Sequence, residues 1–175
     1  MTLAVIYRPG HAADALCIGV LATHVFLDTY ATKGVRPDLA REALSACSPD
    51  AFAARLADPA RRFLLAESEG YLVAFTEIAL NSACPVPDPS PVEVVRLYVH
   101  PGFQRRGIGA ALLVRADVIA AQQEASAVWL TAWVGNARAL AFYRAVGYED
   151  IGTTSYVIEG QHYENRVLRK GLAKR

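Results

Sequence analysis

V-E-V-V-R-L-Y-V-H-P-G-F-Q-R-R-G-I-G-A-A-L-L, residues 92–113, is the stretch on which the reading of this chain turns. Its first eight residues are rich in β-branched side chains and read as a strand, which Pro101-Gly102 forbids from continuing. Beyond the turn, Gly107 and Gly109 open a segment whose apolar residues Ile108, Leu112, Ala116 and Ile119 recur at helical spacing. The glycines therefore sit at a helix N-terminus, where backbone N–H groups lack intrahelical partners and the dipole is positive. Glycine lets a ligand approach that backbone closely, and Gln104, Arg105 and Arg106 add donors and two positive charges. This is a cradle for a phosphorylated ligand, although strand, turn, glycine and helix also make any α/β crossover. Two familiar cradles fail here. A dinucleotide fingerprint requires a third glycine where Leu112 stands, and a nucleoside-triphosphate loop requires a Gly-Lys-Ser/Thr triplet that the sequence lacks.

The order strand, His100-Pro101, Q-R-R-G-I-G-A and Leu112-Leu113 resembles the central motif of the GNAT acetyltransferase superfamily, (Q/R)-x-x-G-x-(G/A), an acyl-CoA cradle. A second stretch, N-A-R-A-L-A-F-Y-R-A-V-G-Y at residues 136–148, is similar to that family's next motif, N-x-x-A-x-x-F-Y-x-x-x-G-(F/Y). The resemblance implies an α/β (α+β) fold: a mixed, mainly antiparallel sheet of about seven strands with helices on both faces. It also implies acetyl-CoA as co-substrate, with no metal, and a ternary complex in which an amine attacks directly. In that reading Leu97, Tyr98 and Val99 offer backbone groups to the pantetheine arm and thioester. The pyrophosphate lies over Gln104, Arg105, Arg106, Gly107, Ile108, Gly109 and Ala110. Asn136 matches a cofactor-contacting asparagine, and reads equally as a helix cap. Tyr143 matches the tyrosine that protonates the leaving thiolate; a tyrosine keeps its proton at neutral pH, as a general acid must. Glu93 and Glu77 compete as the base that frees the amine, and both also read as solvent-facing strand carboxylates. His100, immediately before Pro101, suits a structural histidine better than a base.

Composition narrows the setting. The 175 residues suit one domain, spanning 1–175, and 53% hydrophobic with 20% charged residues is an ordinary globular balance. Lys plus Arg number 18 against 17 Asp plus Glu, so nothing in the charge calls for nucleic acid. Arg169, Lys170, Lys174 and Arg175 read as a solvated basic tail. The three cysteines, Cys17, Cys47 and Cys84, are widely spaced and form no C-x-x-C pair, which points to a reducing cytoplasm rather than a disulfide framework or zinc site. Arg8, His11 and Asp14 interrupt any signal peptide, and no stretch approaches the ~20 apolar residues that span a bilayer.

Along the chain, residues 3–7 read as a strand, and residues 12–30 as an amphipathic helix with Leu16, Gly19, Val20, Thr23, Phe26 and Leu27 on its apolar stripe. Residues 37–47 and 48–57 read as short helices, the second capped by Ser48 with Pro49 at its first position. Strands follow at 63–66 and 71–79 around E-S-E-G, and the four prolines of residues 80–91 make either a stiffened surface connection or one wall of the acceptor pocket. Residues 126–133 read as a strand, Asn136 opens a helix that Gly147 ends, and strands at 148–158 and 163–169 form a hairpin about Glu159-Gly160.

No Ser/His/Asp or Cys/His set has a spacing that supports a covalent acyl-enzyme. The expected reaction is acetyl transfer to a primary amine of a small molecule. A fainter resemblance in F-L-D-T-Y, residues 26–30, points to polyamine-acetylating members. A protein or peptide amino group as acceptor, and a non-catalytic acyl-CoA-binding module, are the alternatives. Homodimers are common in the resembled family.

Overall fold

In the computed structural model, which describes residues 4–173, the alternating runs become seven strands and five α-helices among the described residues. These are β1 (Val5–Pro9), α1 (Ala15–Tyr30), α2 (Pro37–Ala46), α3 (Pro49–Ala57), β2 (Arg61–Ser68), β3 (Tyr71–Ala79), β4 (Glu93–Val99), α4 (Ile108–Gln122), β5 (Ala127–Trp133), α5 (Ala137–Ala145), β6 (Glu149–Ile158) and β7 (Gln161–Gly171). The strands form one sheet in the order β1-β2-β3-β4-β5-β7-β6. β4 and β5 pair in parallel, whereas β1/β2, β5/β7 and β6/β7 are antiparallel. The expected mixed, mainly antiparallel sheet is what forms. The chain divides into two compact units: one holds the chain up to Glu77 with Arg96–Arg115, the other Ile78–Val95 with the chain from Ala116 onward.

In the first unit the period-2 alternation of the strands separates two packing surfaces. Phe63 and Phe75 meet α3 through Phe52, whose ring stands edge-on to theirs at centroid distances of 6.2 and 5.7 Å, and Tyr98 packs edge-on against Phe75 at 5.5 Å. Residues of opposite parity, Leu64, Ala66, Ala74, Leu97 and Val99, pack with Ile108 and Leu112 of α4. Helices thus cover both faces here. Ser48 caps α3 as expected, its Oγ accepting from the Ala51 amide at 3.1 Å.

Helix α1 departs from its expected stripe. Residues 12–14 form a 3₁₀ turn, and the buried residues are Ala15, Ile18, Gly19, Leu21, Ala22, Val25 and Phe26, while Leu16 and Val20 are 62% and 64% exposed. The helix is apolar nearly all round, so periodicity alone cannot choose its inward face. The continuous segment Ala12–Tyr30 is in fact long and apolar enough to cross a membrane, contrary to the sequence expectation, and its buried face packs on α2 and α3. Gly19 decides that face: a Cβ built there would lie 2.9 Å from the Cys47 carbonyl oxygen, a backbone atom that cannot swing away. Gly19→Ala is expected to cost about 1–3 kcal/mol in urea unfolding, because a well-packed contact must open to admit the methyl group.

Several boundaries also move. β1 runs to Pro9 rather than ending at Tyr7, and the expected start at Leu3 lies outside the described residues. β2 extends from Arg61 through Ser68, leaving a two-residue turn at Glu69 (φ +52°) and Gly70 (φ +82°), the left-handed pair a tight hairpin requires. Glu159 (φ +45°) and Gly160 (φ +79°) repeat this between β6 and β7.

In the second unit the proline-rich segment is irregular but firmly held. The Ser90 hydroxyl donates to the Ala127 carbonyl, the Trp129 indole donates to the Ser90 carbonyl at 3.1 Å, and Asp88 pairs with Arg169 at 2.6 Å. Lys170 pairs with Asp117 of α4 at 2.7 Å. Arg169 and Lys170 are therefore strand residues with carboxylate partners rather than a solvated tail; Lys174 and Arg175 lie outside the described residues. The cysteines are free thiols, with Cys17 exposed, Cys47 buried and Cys84 between.

Candidate active site

The expected cradle follows β4 directly. Its turn is tied down amide by amide: His100 N–H donates to the Val73 carbonyl, Gly102 N–H to His100 Nδ1, and Phe103 N–H to the His100 carbonyl, at 2.9, 3.1 and 2.8 Å. The Gln104 side chain reaches back to the Val99 carbonyl at 3.1 Å. The backbone then turns sharply, with Arg105 at φ +59° and Gly107 at φ +78°, before α4 begins at Ile108. The Ala111 amide donates to the Gly107 carbonyl, so the amides of Gly107, Ile108, Gly109 and Ala110 precede the helical ladder. A Cβ at Gly107 would meet nothing within 4 Å. Arg105 and Arg106 are exposed, and the Arg106 guanidinium lies 5.2 Å over the Phe103 ring. Open space, amides ahead of a helix and two cations fit a diphosphate.

The two candidate bases stand in unlike surroundings. Glu77 is fully buried, one carboxylate oxygen bonded by Arg61 and the other by Arg96. The solvent-facing reading of Glu77 is therefore wrong: alternation turns it inward among Phe63, Phe75 and Arg96, where only a paired charge is tolerated. Both flanking arginines escaped the sequence reading. Arg96, inside an apolar strand, was the signal, because a lone inward cation implies a buried partner. Glu93 begins β4 in the second unit, pairs in register with Trp129, and accepts a 2.5 Å hydrogen bond from the Ser82 hydroxyl. It is partly exposed.

Asn136 caps α5, its Oδ1 accepting from the Ala139 amide at 3.1 Å. On the buried face of that helix, Leu140 and Tyr143 sit one turn apart, and the Tyr143 ring meets those of Phe142 and Tyr148 at 5.3 and 5.7 Å. Burial, reinforced by Asp117 and Tyr143, pushes the Tyr148 phenol far above the ordinary tyrosine range. Burial also raises the Cys47 thiol, against the pull of Arg96 and Arg55, so this cysteine is a poor nucleophile. Among the described residues no group of three His, Cys, Asp or Glu could hold a metal ion.

Over residues 29–148 the sequence matches the acetyltransferase (GNAT) family. The chain belongs to that family. An uncharacterised N-acetyltransferase of Mycobacterium tuberculosis is 34% identical over 114 residues, covering 65% of this chain and 69% of that protein. The N-alpha-acetyltransferase RimI of the same organism is 36% identical over 104 residues, 59% of this chain and 62% of that protein. The solved structure of PaiA N-acetyltransferase from Thermoplasma acidophilum in complex with coenzyme A superposes with a TM-score of 0.78 at 18% identity, covering 97% of this chain and 99% of that one. This GNAT protein is an acyl-CoA-dependent N-acetyltransferase.

Proposed function

We propose that this GNAT enzyme transfers an acetyl group from acetyl-CoA to the primary amine of a small molecule, by direct attack in a ternary complex. The observation that carries the cofactor side is the cradle: left-handed backbone at Arg105 and Gly107, open space over Gly107, and the first amides of α4. Gln104 through Ala110 bind the diphosphate, and the backbone of Leu97, Tyr98 and Val99 lines the pantetheine arm and thioester. When bound, acetyl-CoA supplies an activated acyl group and a thiolate leaving group. Asn136 uses Oδ1 in its cap and keeps Nδ2 as a donor toward the cofactor. Tyr143 gives its phenolic proton to the departing sulfur. Glu93 accepts the proton of the attacking amine; Glu77, with both oxygens committed to guanidinium groups, is the poorer candidate. The likeness to RimI favours a second reading, in which the acceptor is a protein α-amino group.

Thiol release from acetyl-CoA across polyamines, amino acids, aminoglycosides and peptides tests this. Turnover on a small amine supports the proposal, and turnover on peptides alone replaces it with the second reading. Calorimetric binding of acetyl-CoA with no turnover on any acceptor would leave an acyl-CoA-binding module.

A further inference from the structure

We infer that His100 is a positioning residue for cofactor binding: its Nδ1 holds the Gly102 amide and so sets the turn that aims the cradle amides. The inference rests on the reading of Gln104 to Ala110 as the diphosphate cradle.

The turn has little freedom to spare. Pro101 has no amide, so four N–H groups direct the backbone between β4 and Arg105. Three of them have backbone acceptors: His100 donates to Val73, Phe103 to His100, and Gln104 to Pro101 at 3.4 Å. The fourth, Gly102, has the imidazole. The ring folds back so closely that a Cβ on Gly102 would sit 3.4 Å from Nδ1. Immediately beyond Gln104 the backbone enters the left-handed region at Arg105, and the cradle amides begin. A side-chain acceptor two residues before its amide is the geometry of an Asx turn, here made by imidazole.

The same ring also touches its surroundings. The His24 ring of α1 lies 5.1 Å from it and the Phe103 ring 5.7 Å, while Arg106 stacks on the far neighbour, Phe103. Packing and acceptor roles are separable by substitution. His100→Phe keeps an aromatic ring against His24 and Phe103 but removes the acceptor. His100→Asn gives up the ring and restores an oxygen that can accept from the Gly102 amide.

Calorimetric titration with acetyl-CoA compares the wild type, both variants and Gly109→Asp, which sets a carboxylate against the diphosphate. His100→Phe is expected to raise the acetyl-CoA Kd roughly three- to tenfold, the scale of losing one backbone-capping bond, with the thermal midpoint little changed. His100→Asn should return Kd to within about twofold of the wild type, since asparagine makes this turn well. With the acceptor found by the thiol-release panel, the defect of His100→Phe should appear in KM for acetyl-CoA and not in kcat. Wild-type affinity in His100→Phe beside lost binding in Gly109→Asp would overturn the role of His100 and leave the cradle standing. An asparagine variant as weak as phenylalanine would show that restoring an acceptor for the Gly102 amide does not restore binding, and would overturn it equally. Undiminished binding in Gly109→Asp would remove the cradle reading, and this inference with it.

Discussion

Tyr143→Phe is expected to lower kcat by about 10²–10⁴-fold with little change in KM for acetyl-CoA, the range over which a positioned general acid contributes. Phenylalanine preserves the ring contacts with Phe142 and Tyr148 and the buried face of α5, so the helix should stay in place. What it removes is the one proton that the proposed mechanism sends to the departing sulfur. Steady-state kinetics with a saturating acceptor, beside a thermal melt, checks this. A kcat within about threefold of wild type would show that the thiolate leaves without this proton, since a threefold change corresponds to less than 1 kcal/mol of barrier.

Glu77→Ala is expected to be the most destabilising single change of those considered, by about 3–5 kcal/mol. Glu77 is fully buried, while the side chains of Arg61 and Arg96 retain only 30% and 18% of their exposure. Removing the carboxylate leaves two guanidinium groups facing each other in a poorly solvated place, with Arg55 adding a third positive charge close by. Burial and the charges of Arg96 and Arg61 already lower the Arg55 pKa, against the favourable effect of Glu77. For a chain of this size each kcal/mol shifts the midpoint by roughly 2–4 °C, so a fall of about 6–20 °C is expected by calorimetry. Glu93→Gln offers the contrast. It keeps an oxygen for the Ser82 hydroxyl, so it should lower kcat with the midpoint nearly unchanged. Equal stability losses in the two variants would contradict the division of roles drawn here.

These two carboxylates show where sequence reading stops. Glu77 lies inside one strand run and Glu93 opens another, and each looks, in one dimension, like a strand residue facing water. Which way a strand residue points depends on the register of its neighbours, and which charge it meets depends on strands distant in the chain: Arg61 lies on β2 and Arg96 on β4. Helix α1 teaches the same lesson from the apolar side. A segment hydrophobic around most of its circumference has no stripe to read, and the close approach of Gly19 to the Cys47 backbone selects the buried face.

The local elements, by contrast, were legible because their causes are local. Ser48 and Asn136 cap helices through their own next turn, Pro101-Gly102 stops β4, and glycine at positions 70, 107, 147 and 160 takes the positive φ that ends or turns each element. The turn that opens α4 was legible for the same reason: its direction is set by consecutive backbone groups within a few residues, with Arg105 and Gly107 at positive φ. By itself, then, the sequence determined the order of elements, the family, and the strand–turn–helix stretch proposed here as the diphosphate cradle. Only the tertiary structure decided that Glu77 is a buried counter-ion, that Leu16 and Val20 face outward, and that Arg169 and Lys170 are paired. Those outcomes depend on burial and on partners far apart in sequence, and no local pattern encodes either.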